Sequence, residues 1–301
     1  MRHIIIGAGL ILALLICGAG AFLLEAHWEM RGIAPPVPEP ATLEERTGVP
    51  DAPVHISYVN TATQRGSGPA SLGHPGFLLE WSDGRSFLID VGMTPEQAVA
   101  FGRPMEWLLG AEPSEPHGSL SEQLGPAVER IEGIGFTHLH NDHTGGLAAL
   151  CAALGRPVPV FQTPQQMELE NHTTRPGHRD LEEAECALPV RLEGDALFPV
   201  PGFPGLLAQS AGGHTPGSTI YVARVGDTMW VLSGDVTNSM ESLRLNRPKP
   251  RIYSLFIVPE NLARLDVLRR WLADLNDRPG VEVVPSHDID RIVESGIPPA
   301  G

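Results

Sequence analysis

Lysine is almost missing from this chain. Lys249 is the only one in 301 residues, and 21 basic residues face 36 acidic ones, for a formal net charge of −15. A surface of that sign repels phosphate backbones. The densest basic stretch, Arg244 to Arg251, holds three arginines and the lysine and reads as a solvated loop. Nucleic acid is therefore excluded as a partner. Cysteine is also scarce, with three in all. Cys151 lies in the alanine–leucine run Leu147 to Leu154 and reads as a small core hydrophobe. A bond from Cys151 to Cys186 is permitted in an oxidising compartment, but spacing alone does not fix their distance. No internal repeat stands out.

Charge is absent altogether from Ile4 to Leu24, a run preceded by Arg2 and followed by Glu25. It is long enough to cross a hydrocarbon core of about 30 Å as a helix. Ala19-Gly20-Ala21 offers an alternative, a signal-peptide cleavage site. Cys17 is no lipidation site, because Leu14-Leu15-Ile16 lacks the small residue that lipoprotein cleavage requires. Residues 1–27 are thus expected to be a signal anchor or signal peptide, with a membrane as partner and the catalytic part extracytoplasmic. Residues 28–53, with Ala34-Pro35-Pro36-Val37-Pro38, read as a stiff proline-rich linker. Residues 54–301 form the catalytic domain.

With 33 glycines and 29 prolines and alternating strand and helix signals, that domain reads as loop-rich α/β. Strands are expected at His55–Asn60, Phe77–Glu80 and Ser86–Asp90, with an Asp-Gly hairpin turn at Asp83-Gly84. Thr163-Pro164 opens a helix as N-cap and first residue. Leu262, Leu265, Leu268, Trp271, Leu272 and Leu275 recur at helical spacing and give the segment Glu260 to Asn276 one buried face.

What the sequence does have is a dense cluster of ligand-type residues, Thr137-His138-Leu139-His140-Asn141-Asp142-His143, in a chain with twelve histidines. Imidazole and carboxylate suit zinc and neighbouring metals. Leaving a strand, His138 and His140 point to one side, because side chains alternate. After a turn, Asp142 and His143 reach a second point nearby, which suggests two metal positions. Downstream come His214 in Gly213-His214-Thr215-Pro216-Gly217, Asp235 in Ser233-Gly234-Asp235, and His287 in Pro285-Ser286-His287, the last two after apolar runs. The remaining histidines, His3, His27, His55, His74, His117, His172 and His178, read as solvated loop or interface residues.

Together the HxHxDH motif, the GHTPGS segment, the lone aspartate and the late histidine resemble the metallo-β-lactamase-fold superfamily, from about Val54 to Val293. The resemblance implies a four-layer αββα sandwich with the metals at one edge of two sheets. It gives His138, His140 and His214 to a first metal, Asp142, His143 and His287 to a second, and Asp235 to both. The implied cofactor is two divalent ions, zinc first. A shared water then supplies hydroxide near neutral pH, and Asp142 carries the proton to the leaving group. Asp90 resembles the aspartate that lies under the family's site. Asp288 and Thr215 either orient ligands or serve as caps and turns.

The nearest branch is that of lactonase-like hydrolases, so the expected substrate is a lactone or other ester. β-Lactam and phosphotriester hydrolysis are the alternatives, followed by an iron persulfide-dioxygenase-like enzyme and a non-catalytic metal-binding module. Asp235 speaks against β-lactams. The family pattern also speaks against flavodiiron oxygen reductases, which would have a glutamate where His140 stands. The lactonases often carry a tyrosine shortly after the bridging aspartate, whereas Val236-Thr237-Asn238-Ser239 has none; Tyr253 is the nearest substitute. Met105, Trp107, Leu108, Leu109, Phe203, Leu206, Tyr253 and Phe256 lie in loops able to wall an acyl pocket or to plug the core.

Overall fold

Strands that bury both faces read as unbroken apolar runs, and the central strands here do so. The computed structural model describes residues 2–66 and 71–300, and the side chains of these apart from residues 2–12 and residue 109. Among the described residues, one sheet holds β1 (His55–Arg65), β2 (Ser71–Glu80), β3 (Ser86–Ile89), β4 (Glu115–Pro116), β5 (Ile131–Gly135), β6 (Val158–Gln162) and β7 (Ala187–Arg191). Its spatial order is β4-β1-β2-β3-β5-β6-β7. The second sheet holds β8 (Leu197–Pro199), β9 (Leu206–Ser210), β10 (Thr219–Val225), β11 (Thr228–Gly234) and β12 (Val281–Pro285), in the order β12-β11-β10-β9-β8. The β2–β3 pair is antiparallel and closes through Gly84 at φ 90°, as the Asp-Gly turn predicts. β3, β5, β6 and β7 run parallel, as do β11 and β12.

Alternation along the strands builds three apolar layers. Phe77, Phe87, Tyr221, Trp230 and Leu232 fill the space between the sheets. Their neighbours Leu78 and Leu88 face outward against the helices Leu120–Leu124 and Leu147–Leu154. Ile220, Val222, Met229 and Val231 face outward from the second sheet onto the helix Leu262–Asn276, through Leu265, Leu268, Leu272 and Leu275. Three interfaces make four layers, the αββα sandwich that the motif implied. Thr163 caps the helix Pro164–Glu168 by accepting from the amide of Gln166. Phe203 and Leu206 sit in the core between the sheets, so they plug the core rather than wall a pocket.

Cys151 is not a free core hydrophobe. It is disulfide-bonded to Cys186, with Cα atoms 5.2 Å apart, and ties the helix Leu147–Leu154 to the entry of β7.

The proline-rich segment lies against the domain. The carbonyl oxygens of Pro35, Pro36 and Pro38 accept from Arg264, Gln209 and Trp271, and Leu43 is fully buried in the outer layer of the second sheet. The N-terminal helix Arg2–Glu29 ends with Ala26 and then Met30 buried. No helix among the described residues is long and apolar enough to cross a membrane. Residues 4–12 of the apolar run, on which the expected anchor or signal peptide partly rests, lie outside the described side chains.

Candidate metal centre

Every residue of the predicted ligand set lies just beyond the C-terminal end of a strand, at one edge of the two sheets. β5 leads to Thr137–His143, β9 to His214, β11 to Asp235 and β12 to His287. The turn Asn141–Thr144 swings Asp142 and His143 away from His138 and His140. Gly212 (φ 66°) and Gly213 (φ 91°) give the loop before His214 a left-handed path, which a side chain would strain.

All seven predicted side chains converge. His138 Nε2 lies 3.0 Å from His140 Nδ1, which lies 3.3 Å from His214 Nε2. His287 Nε2 is 3.4 Å from Asp142 Oδ2 and 3.0 Å from Asp235 Oδ1. His143 Nε2 stands 3.7 Å from Asp142 Oδ2 and 3.8 Å from Asp235 Oδ1. Asp235 Oδ2 is 3.5 Å from His214 Nε2, so this carboxylate joins the two halves of the cluster. Three triads could each hold an ion, namely His138–His140–His214, His138–His143–Asp235, and His74–Asp142–His287.

The outer hydrogen bonds decide which nitrogen of each histidine faces inward. Asp90 Oδ2 takes the Nδ1 proton of His143 at 2.9 Å, Glu260 Oε1 that of His214 at 2.7 Å, and the carbonyl of Gly73 that of His287 at 2.7 Å. Each therefore turns its Nε2 rather than its Nδ1 toward the centre. His140 is reversed. Thr173 donates to Asn171 Oδ1 at 2.7 Å, so its oxygen accepts from His140 Nε2 at 2.9 Å and leaves Nδ1 facing inward. Asp90 also accepts from the amide and hydroxyl of Thr137, and lies under the motif as expected. Asp288 and Thr215 take the simpler role. Asp288 caps the helix Ile289–Glu294, and Thr215 pairs with Ser218 in a turn.

These residues fit a metal. Two donors each about 2.0–2.1 Å from a tetrahedral zinc lie about 3.3–3.4 Å apart, close to most of the short separations above. His143 Nε2 and Asp235 Oδ1 are buried without a hydrogen-bond partner, as atoms reserved for a cation would be. Burial and the neighbouring imidazoles hold His140 down to about 3, which keeps it neutral. Burial would also lower His143, but Asp90 and Asp142 outweigh it and push it up to about 10. Burial works against the charge of Asp142, yet His143 and His74 hold its carboxyl well below the usual range.

Sequence reasoning missed three members of this site. His74, read as solvated, is 3 % exposed on β2, with Nδ1 3.3 Å from Asp142 Oδ2. Lys249, read as part of a solvated loop, is largely shielded from solvent, 3.5 Å from Asp235 Oδ2 and 3.4 Å from Glu260 Oε1. Glu260, placed at a helix start, precedes that helix and holds His214. Being the sole lysine was the one available signal for Lys249; Glu260 had none. Tyr253 has its ring 5.4 Å from Lys249 Nζ, which brings that loop to the Asp235 side of the site.

Residues 73–287 match the family model of the metallo-beta-lactamase superfamily. No curated protein matches the sequence. Among solved structures, a quorum-quenching N-acyl homoserine lactone lactonase superposes with TM-score 0.58 at 16 % identity, over 80 % of this chain and 94 % of that one. An N-acyl homoserine lactone hydrolase with N-hexanoyl-L-homoserine at its catalytic metal centre gives 0.57 at 16 %, over 81 % and 96 %. A dizinc quorum-quenching lactonase in complex with its product gives 0.53 at 13 %, over 77 % and 86 %. At these identities the likeness is one of fold.

Proposed function

Because the chain belongs to the metallo-beta-lactamase superfamily, we propose that it is a metal-dependent hydrolase with two divalent ions, zinc first, acting on a lactone or other ester. The observation that carries this reading is that His140, His143, His214 and His287 each commit one ring nitrogen to an outer hydrogen bond and turn the other toward the cluster, where His138 joins them. His138, His140 and His214 are the side chains for one ion, Asp142, His143 and His287 for the other, with Asp235 between them. Two ions there would acidify water to a pKa near 7 and polarise a carbonyl oxygen.

The chain's own residues do the rest. Asp142, at the heart of the cluster, moves the proton from attacking water to the leaving oxygen. Asp90 and Glu260 hold His143 and His214 in the required tautomers. Tyr253 is our candidate for holding the substrate carbonyl, in place of the tyrosine missing after Asp235. The lactone substrate is supported by solved structures of similar fold that bind N-hexanoyl-L-homoserine or act as quorum-quenching lactonases. An extracytoplasmic location is supported by the Cys151–Cys186 disulfide, a bond that persists in oxidising compartments.

The test is proton release by the full chain, loaded with zinc, on a medium-chain acyl-homoserine lactone. Release that a chelator abolishes supports the lactonase reading. No release on the lactone, with turnover of a phosphotriester or a β-lactam, replaces the substrate and keeps the metallo-hydrolase. No metal bound refutes both.

A further inference from the structure

His74 stands outside the seven-residue pattern, yet it lies inside the cluster. It sits on β2, where Asn60 Oδ1 accepts from its amide at 2.8 Å and Thr61 Oγ1 donates to its carbonyl at 2.8 Å. The residue before it, Gly73, accepts from His287 Nδ1 at 2.7 Å and donates its own amide to the His287 carbonyl at 3.0 Å. Two consecutive residues of one strand thus fix the His287 loop and place a second imidazole beside it, with ring centroids 5.0 Å apart.

The side chain is 3 % exposed, and Phe101 covers its ring edge-on at 5.4 Å. Its Nδ1 is 3.3 Å from Asp142 Oδ2 but makes no hydrogen bond of acceptable geometry, so a buried nitrogen is left without a partner. Such an atom is destabilising unless something satisfies it. Asp142 Oδ2 is in turn 3.4 Å from His287 Nε2. Both separations match the edge of about 3.3–3.4 Å expected between two donors on one tetrahedral zinc. His143 Nε2, which the seven-residue pattern assigns to this ion, is farther from Asp142 Oδ2 at 3.7 Å.

We propose that His74 is a further ligand of the second metal position, binding through Nδ1 beside Asp142 Oδ2 and His287 Nε2. This inference rests on the dinuclear reading above and adds a ligand to it. A strand residue with both backbone groups bonded makes a rigid ligand, whereas the ligands after the strands sit on turns. With five side chains available, namely His74, Asp142, His143, Asp235 and His287, the second position can exchange one donor for substrate or water while staying filled.

The experiment is cobalt(II) titration of the metal-stripped full chain, followed by visible absorption and by ion content per chain. His74→Ala is compared with His74→Asn, whose amide nitrogen sits where Nδ1 was and keeps a hydrogen-bond donor toward Asp142. The expected result is an unchanged first ion in both variants. The second ion should bind at least about tenfold more weakly, with an altered absorption spectrum. Second-ion affinity within about twofold of the parent in both variants would overturn the proposal. So would a loss in His74→Ala that His74→Asn fully restores with the parent spectrum, since His74 would then only hydrogen-bond to Asp142. If the parent itself binds one ion or none, the dinuclear reading fails instead, and the parent titration alone reveals that.

Discussion

Glu260→Gln should loosen one ion and spare the other. Glu260 Oε1 accepts from His214 Nδ1 at 2.7 Å and faces Lys249 Nζ at 3.4 Å, while Oε2 accepts from Ser254 Oγ. Burial would raise its pKa, but Lys249 and the His214 hydrogen bond hold it down to about 2, so the carboxylate is ionised at any working pH. Glutamine keeps the shape and removes the charge. His214 then becomes a weaker donor, and Lys249 keeps only Asp235 as counter-ion. Losing the outer partner of a ligating histidine costs about 10–100-fold in metal affinity, or about 1.4–2.8 kcal/mol at a tenfold per 1.4 kcal/mol. The loss should fall on the position built from His138, His140 and His214, leaving the other within about threefold. Stepwise titration against a chromophoric chelator separates the two ions. Parental affinity at both positions would refute the argument and leave Glu260 a purely structural partner of Lys249.

Asp235→Ala should remove metal and activity together, measured as ions per chain and turnover, because its carboxylate links both halves of the cluster. Asp142→Asn should depress turnover while the first ion stays bound, and near-parental activity would contradict its proton-carrying role. Cys151→Ser opens a bridge spanning 35 residues, and the chain-entropy relation puts the loss at about 4 kcal/mol in denaturant melts; reduction of the parent should reproduce it. In the metal-free protein His143 is raised to about 10 from an ordinary 6.5 by Asp90 and Asp142, against the effect of burial. Its stabilising charge is therefore complete below about pH 6.5 and lost as pH rises through 10. The melting temperature of the stripped protein should fall over that window, and that of the zinc-loaded protein should not.

Individual strands and the histidine cluster were legible from local signals, whereas the two-sheet sandwich and the full seven-ligand set came from the family resemblance of the combined motifs. Unbroken apolar runs mark two-sided strands, and a histidine motif after one of them marks a site. What escaped was set by tertiary contacts. Nothing local distinguishes His74 from a solvated histidine, since it owes its burial to pairing with β1 and to Phe101. Glu260 reaches His214 across 46 residues, and Lys249 reaches Asp235 across 14. Cys151 and Cys186 were visible as a pair, but only the docking of their helix beside β7 brings them within reach. Phe203 and Leu206 were legible as apolar, although which side of a loop they serve depends on the opposite sheet.

The end of the N-terminal helix changes what counts as the smallest working unit. Asn171 donates toward Met30 Sδ with one end of its amide and with the other organises Thr173, which holds His140. Ile33 lies against Gly212, two residues before His214. A shortened gene starting at residue 31 would strip Met30 from beneath the Asn171–Thr173 pair that supports His140. The practical border of the catalytic unit therefore lies upstream of Ala26, inside what resembles a leader. Any protease that trims beyond it would be adjusting the metal site rather than merely releasing the protein.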